Sequence, residues 1–301
     1  MRKRTKALIA FFSAFALLSI IAIAGFLYYR TTPHYILKNE HAVDVTLDNG
    51  NVVRFMRHYK ASPDGFIYYD ELDVYKIIKL CSDELVIPEE VGGYIVTSFG
   101  KHTPVAMFMD VDEMQIKRMT LPDTMKEVSP CGQLRSLEYL DIGKSTLEGI
   151  QLLEPYNLKE LNVSPDNTRY ILKDGCLVEK EIGRLVLRFG DAPIDENVLI
   201  IGTKAVNEKS SLIIPKSVEI LEQGSINLEG ENASVFVPVT VKEIETAGVA
   251  AATDAKIYCE LPQKGDSWND EWSDVYLNGI GVSEPCIIWN CTLEEYNNLE
   301  N

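Results

Sequence analysis

Leu212-Ile-Ile-Pro215-Lys-Ser-Val218 decides the fold, because the chain repeats its pattern three more times: Leu85-Val-Ile-Pro88-Glu-Glu-Val91, Met119-Thr-Leu-Pro122-Asp-Thr-Met125 and Val235-Phe-Val-Pro238-Val-Thr-Val241. Counted from the proline, offsets −3, −1, +3 and +6 hold Leu85, Ile87, Val91 and Tyr94 in the first copy and Met119, Leu121, Met125 and Val128 in the second. The other two copies hold Leu212, Ile214, Val218 and Leu221, then Val235, Val237, Val241 and Ile244. Every one of these residues is apolar, which marks a repeat protein. An apolar pair two residues apart, ended by proline, reads as a very short strand. Its two side chains share one face, and the strand stops where a backbone donor is missing. One such rung cannot bury enough surface to offset its ordering entropy, so rungs must stack and cover one another.

From Pro122 the pattern continues in weaker form, with Leu140 and Ile142 before Gly143 and Leu161 and Val163 before Ser164. The next rung is read at Val198 and Ile200, with Ala205–Val206 nearby. Between these lies a hairpin insertion, about 165–192. There Asp174-Gly175 separates two apolar strands and Leu185-Val-Leu187 adds a third. The long step from Pro88 to Pro122 places a bulge or loop at about 99–117.

These residues resemble the BspA-type leucine-rich-repeat family of microbial surface and secreted proteins. Glu84 to Gly100, with its Gly-Gly-Tyr-Ile-Val-Thr turn, resembles that family's first rung, and Tyr170 to Leu177 its hairpin island. Ala255 to Glu260, with Trp268, Trp272 and Ile287-Ile-Trp289, resembles its closing unit. The likeness covers about 66–290. Gly143 and Ser164 depart from it by replacing the proline, and the convex Ala-Phe of the family is mostly absent. The resemblance implies a leucine-rich-repeat solenoid that works in adhesion or protein recognition.

The amino terminus gives an address. Arg2, Lys3, Arg4 and Lys6 precede residues 7–29, which carry no charge and are long enough to cross a bilayer as one helix. The expected order is a cytoplasmic basic tail at 1–6, a transmembrane signal-anchor at 7–29 and a juxtamembrane segment with an N-terminal β cap at 30–84. The solenoid at 85–254 and a C-terminal cap with an acidic tail at 255–301 follow. The repeats are then extracellular, and cleavage after Ala24, within Ala22-Ile-Ala24, would release them as a secreted protein. In the cap, Leu47-Asp-Asn-Gly50 reads as a hairpin turn, and residues 66–69 and 74–80 as another pair of strands. The last stretch, Thr292–Asn301, shows no apolar periodicity and reads as a frayed end.

Residues 31–301 hold 24 Lys and Arg against 45 Asp and Glu, a net charge of −21. Such a surface repels nucleic acid and anionic head groups. Chemistry is hard to find in the sequence. His34, His41, His58 and His102 share no ligand spacing and read as surface or juxtamembrane residues. Asp110-Val-Asp112-Glu113 lacks the glycine and distal glutamate of a calcium loop. No nucleophile elbow, phosphate loop or dinucleotide fingerprint occurs. Neither metal, cofactor nor enzymatic activity is expected. Six cysteines are scattered; Cys131 and Cys176 read as buried hydrophobes, and a cap disulfide from Cys259 to Cys286 or Cys291 stays open.

If −3 and −1 face the core, −2 faces outward: Val86, Thr120, Asp141, Asn162, Leu199, Ile213 and Phe236. Stacked Leu199, Ile213 and Phe236 would make an apolar ladder, which either another segment covers or a partner uses. The expected function is a non-catalytic, membrane-tethered module that recognises another surface or host protein through Thr120, Asp141, Asn162, Leu199, Ile213 and Phe236. The alternative is an envelope accessory protein that stacks Trp268 and Trp272 on cell-wall glycan. Against it stands the reading of those two rings, four residues apart, as the solenoid's end cover.

Overall fold

A computed structural model describes residues 18–102, 115–129, 134, 136–153, 155, 157–190, 192–230, 232–251, 255–273 and 286–300. All sixteen apolar residues of the four proline copies are buried, none more than 7% exposed. The −3 positions pair rung to rung in parallel register. Leu85 lies opposite Met119, Met119 opposite Leu140 and Leu140 opposite Leu161. In the second half, Leu212 lies opposite Val235, Val235 opposite Ile257 and Ile257 opposite Ile287. After three of the four prolines the chain turns with the proline carbonyl accepting the N–H three residues on: Met125 to Pro122 at 3.0 Å, Val218 to Pro215 at 3.1 Å and Val241 to Pro238 at 3.2 Å. Gly143 stands where the proline would be because its φ is +49° and an added Cβ would come within 2.4 Å of Asp123. Proline, locked near −65°, cannot adopt that turn.

The result is a mainly β solenoid. Strands Glu84–Val86, Arg118–Thr120, Tyr139–Gly143 and Glu160–Val163 form a first parallel sheet, and Ser211–Ile213, Ser234–Val237, Lys256–Cys259 and Cys286–Trp289 a second. Two further ladders carry the other sides of the later rungs. One runs Ile200–Ile201, Ile220–Leu221, Glu243–Ile244, Ser267–Trp268, and the other Val206–Glu208, Ile226–Leu228, Val249–Ala251.

Between the parallel sheets sits the antiparallel meander Tyr170–Lys173, Cys176–Glu179, Arg184–Arg188, turning at Asp174 and Gly175 with φ of 47° and 76°. Its alternation splits the interior. Leu177, Val186 and Leu187 join the core of the first half, whereas Cys176, Val178 and Leu185 join that of the second. The meander is thus a partition buried on both faces. Ion pairs tie it to the next rungs: Arg184 grips Glu222 through two nitrogens at 2.8 and 2.6 Å, and Arg188 meets Glu208 at 2.8 Å with both side chains almost fully buried. Burial draws the Glu208 carboxyl upward, but the N–H and hydroxyl of Ser210 and the Arg188 guanidinium outweigh it and hold it below its ordinary value.

The rung after the meander corrects the sequence reading by a frame. Ile200 pairs with Ile220, not with a −1 residue, and the Val198 N–H donates to Asp195 O at 3.0 Å. Asp195 therefore takes the proline's place, Ile194 fills −1, and Val198 and Ile201 are +3 and +6. Both patterns alternate apolar residues. Pairing with the neighbouring rung chooses between them.

The N-terminal cap is a sheet in which Ala42–Thr46, Val52–Ser62 and Gly65–Lys79 run antiparallel and the last pairs in parallel with Tyr94–Phe99. The stretches 66–69 and 74–80 are therefore one fifteen-residue strand rather than a pair. The hairpin closes at Pro63-Asp64 between Ser62 and Gly65. Helix α1 covers residues 18–30 and α2 Pro33–Glu40, whose Leu37 is fully buried. Among the described residues no helix is long and apolar enough to cross a membrane, and residues 7–17 of the expected span lie outside them. The expected loop at 99–117, with Asp110, Asp112 and Glu113, and Cys131 lie largely or wholly outside them too.

At the other end, Trp268, Trp272 and Trp289 form a triangle with ring centroids 4.9, 6.1 and 6.1 Å apart, closing the second core. The tail is not frayed throughout: helix α3, Leu293–Glu300, is set by a capping box. Thr292 accepts the Glu295 N–H at 3.2 Å, and its own N–H reaches the Glu295 carboxylate at 2.8 Å.

Candidate interaction surface

The outer face of the first parallel sheet carries two columns of side chains, set by register. One is Glu84, Arg118, Tyr139, Glu160; the other is Val86, Thr120, Asp141, Asn162. The Arg118 guanidinium lies 4.0 Å over the Tyr139 ring, and the Tyr139 hydroxyl donates to Asp141 at 3.4 Å. Burial, then the neighbouring carboxylates of Asp141 and Glu160, push the Tyr139 phenol up, so it stays a neutral donor at physiological pH. Both columns are accessible, with Val86 and Asn162 exposed and Thr120 and Asp141 half-buried. Aromatic, guanidinium, carboxylate and amide groups within two strand spacings suit recognition of a folded surface.

The equivalent face of the second sheet is different. Its −2 column is Ile213, Phe236, Tyr258, Ile288. Phe236 does point outward, as expected, yet it is 1% exposed because α3 lies over it. The Tyr296 ring sits 5.5 Å from Phe236 and 5.1 Å from Tyr258, with its hydroxyl 2.9 Å from the Ser234 hydroxyl. Phe236 is therefore removed from the free surface, and Ile213, 43% exposed, stays open at the helix's edge. Leu199 does not belong to this column. The frame shift puts it next to Glu219 on another side, where its carbonyl accepts the Glu219 N–H at 2.8 Å, and Lys242 follows one rung further on. The apolar ladder of three is thus absent. What distinguishes the two sheet faces is the capping box at Thr292 and Glu295, the one sequence signal that points to a covering helix.

The glycan reading loses its geometry. Trp268 and Trp272 are each 3% exposed, packed on one another and on the last rung, with the Trp268 indole N–H donating to Val241 O at 3.2 Å. Neither ring offers a face to a sugar. All described cysteines are free thiols. Cys259 is buried, and burial followed by the nearby Cys291 pushes its thiol up to about 12. Cys286 is exposed, three residues along the strand from the pairing point of Cys259.

One polar cluster escaped sequence reasoning. His58, expected near the surface, is buried in the cap, its Nε2 2.9 Å from the Ser98 hydroxyl. Ser98 donates to Asp73 at 2.5 Å, so the imidazole nitrogen is the donor to Ser98. Asp73 also accepts the N–H groups of Lys101 and His102 at 3.0 and 2.9 Å. Burial lowers the His58 pKa and keeps the ring neutral. With the hydroxyl between carboxylate and imidazole, the order is not that of an activated nucleophile, in which the imidazole stands in the middle. The network fastens three cap strands. Among the described residues no group of three His, Cys, Asp or Glu is placed to hold a metal ion.

No family model matches the chain, and no curated protein matches it. Solved structures overlap it in part. A leucine-rich repeat protein from Eubacterium ventriosum is 14% identical with a TM-score of 0.41, over 82% of this chain and 84% of that one. The pneumococcal vaccine antigen PcpA is 10% identical with a TM-score of 0.30, over 83% and 99%. A leucine-rich cell surface protein from Faecalibacterium prausnitzii is 13% identical with a TM-score of 0.27, over 85% and 97%. The solenoid itself is defined by the strand register of this chain.

Proposed function

We propose that the chain is a membrane-tethered, extracellular leucine-rich-repeat module that binds another surface or host protein. The observation that carries this reading is the asymmetry of the two parallel sheets. One presents an open, chemically mixed face, while the chain itself covers the other with α3. A repeat scaffold that spends a helix to hide apolar residues and leaves Arg118, Tyr139, Asp141 and Asn162 uncovered has its recognition groups on the open side. The tether rests on the uncharged run 7–29 behind four basic residues. It is also supported by α1, an apolar helix in which Leu18, Ile20, Ile21, Ile23, Phe26 and Leu27 are all more than half exposed.

The test is capture of candidate surface proteins by the full chain in membranes, compared with an Arg118→Glu, Asn162→Arg double variant. Both positions are exposed, so the melting temperature should move by no more than a few degrees. Capture should fall by about tenfold or more. Equal capture by the variant would remove the open face as the recognition surface.

A further inference from the structure

Among the described residues the strand Glu84–Val86 is the outermost of the first parallel sheet and has one free edge. Arg118 N–H donates to Asp83 O at 3.1 Å and Ile87 N–H to Thr120 O at 3.0 Å, so odd-numbered residues bond inward and the backbone groups of Glu84 and Val86 point away. The cap closes half of this edge. The side-chain amides of Asn49 and Asn51 both donate to Glu84 O, at 2.5 and 2.7 Å, and Ser82 Oγ accepts the Glu84 N–H at 3.2 Å. Asn51 is fully buried and fixed by the N–H groups of Cys81 and Ser82 at 2.7 and 2.9 Å. For Val86 there is no such provision. No described residue meets its N–H or C=O, and its side chain is 45% exposed.

Beside that edge runs a cleft of about 570 Å³ with apolar walls from Val45, Leu47, Pro88 and Val91. Asp48, Glu84 and Glu90 line it, no Lys or Arg does, and none of these carboxylates is in an ion pair among the described residues. An unpaired N–H and C=O on one residue are matched by another extended backbone. Unneutralised carboxylates around an apolar cleft favour a cationic occupant and disfavour a polyanion or an anionic lipid surface.

We propose that this edge receives an extended basic segment of a partner protein as an added strand. The segment pairs with Val86, sets an apolar side chain against Leu47 and Val91, and places Lys or Arg beside Asp48 and Glu90. Alternation along a strand supplies both kinds of side chain. This proposal rests on reading the chain as an interaction module and extends it, since Val86 also heads the column of Thr120, Asp141 and Asn162 on the open face.

The probe is a fluorescent peptide Lys-Val-Lys-Val-Lys with blocked ends, titrated into the full chain in neutral detergent at low ionic strength and read by anisotropy. The same peptide with its central amide nitrogen methylated, which cannot donate to Val86 O, should bind about tenfold more weakly. An Asp48→Lys, Glu90→Lys variant, altered only at exposed positions, should show a similar loss, and added salt should weaken the parent complex. Equal binding of the methylated peptide would overturn strand addition, and equal binding by the variant would overturn the location. The Arg118→Glu, Asn162→Arg variant separates the two ideas. Intact Arg118-dependent capture without peptide binding sinks this inference alone. Peptide binding without such capture sinks the open-face reading alone.

Discussion

Val237→Asp is expected to unfold the carboxyl-terminal half of the chain locally while the amino-terminal half stays protected. Val237 is 1% exposed in the second core, with Val235, Ile257 and Cys259, and the buried Arg188 guanidinium is already paired with Glu208 and so not free to pair a new carboxylate. Such a group must be buried charged or protonated, at a cost of several kcal/mol either way, against total stabilities of about 5–15 kcal/mol for ordinary domains. The location of the loss follows from the two cores. Leu121 and Ile142 belong to the first core and Val237 to the second, with the meander between. Hydrogen exchange should quicken by about two to three orders of magnitude from Ser211 to Cys259 and stay near wild type around Leu121 and Ile142. Uniform loss of protection would mean that the cores fold as one unit.

Tyr296→Ala is the second large effect. The ring is 1% exposed and supplies the contact between α3 and the second sheet. Truncating a buried aromatic costs about 3–5 kcal/mol when the site cannot collapse. Here the site can escape, because an eight-residue terminal helix has little stability of its own and will undock. Phe236 and Tyr258 then join Ile213 as an exposed apolar strip. The expected outcome is a rise in fluorescence of a hydrophobic dye and concentration-dependent self-association, with small change in the main unfolding transition. Tyr296→Phe keeps the rings and loses the hydroxyl's contacts with the Ser234 hydroxyl and Leu212 O, about 1 kcal/mol, and should leave dye binding near wild type. Unchanged dye binding in Tyr296→Ala would mean that α3 is not what hides the sheet.

The rungs were legible because proline and the four apolar offsets report strand end, core face and turn together, and all sixteen side chains are where that logic places them. The rung at 192–201 was misread because two frames of its apolar residues alternate equally well. Only pairing of Ile200 with Ile220 distinguishes them, and pairing is not local. Phe236 shows the same limit. Its direction follows from strand alternation, but its cover comes from Tyr296, sixty residues on, and an eight-residue helix has too few apolar positions to show a period. The signal there was Thr292 with Glu295 three residues later. Trp268 and Trp272 illustrate a chemical ambiguity: the same rings can stack on a sugar or close a core, and burial alone decides. The open face of Arg118, Tyr139, Asp141 and Asn162 was half visible, as its −2 column, whereas the Arg118–Tyr139 column needed the register to appear.

The most direct measurement of the central claim is site-specific photocrosslinking on cells that carry the full chain at their surface. A benzophenone side chain is placed at Asn162, on the open face, and separately at Leu199, on another side of the solenoid; both positions are exposed, so neither should disturb packing. A recognition module that works through the first sheet predicts a covalent adduct with a second protein from Asn162 and none from Leu199. Adducts from Leu199 alone, or from neither position, would contradict it.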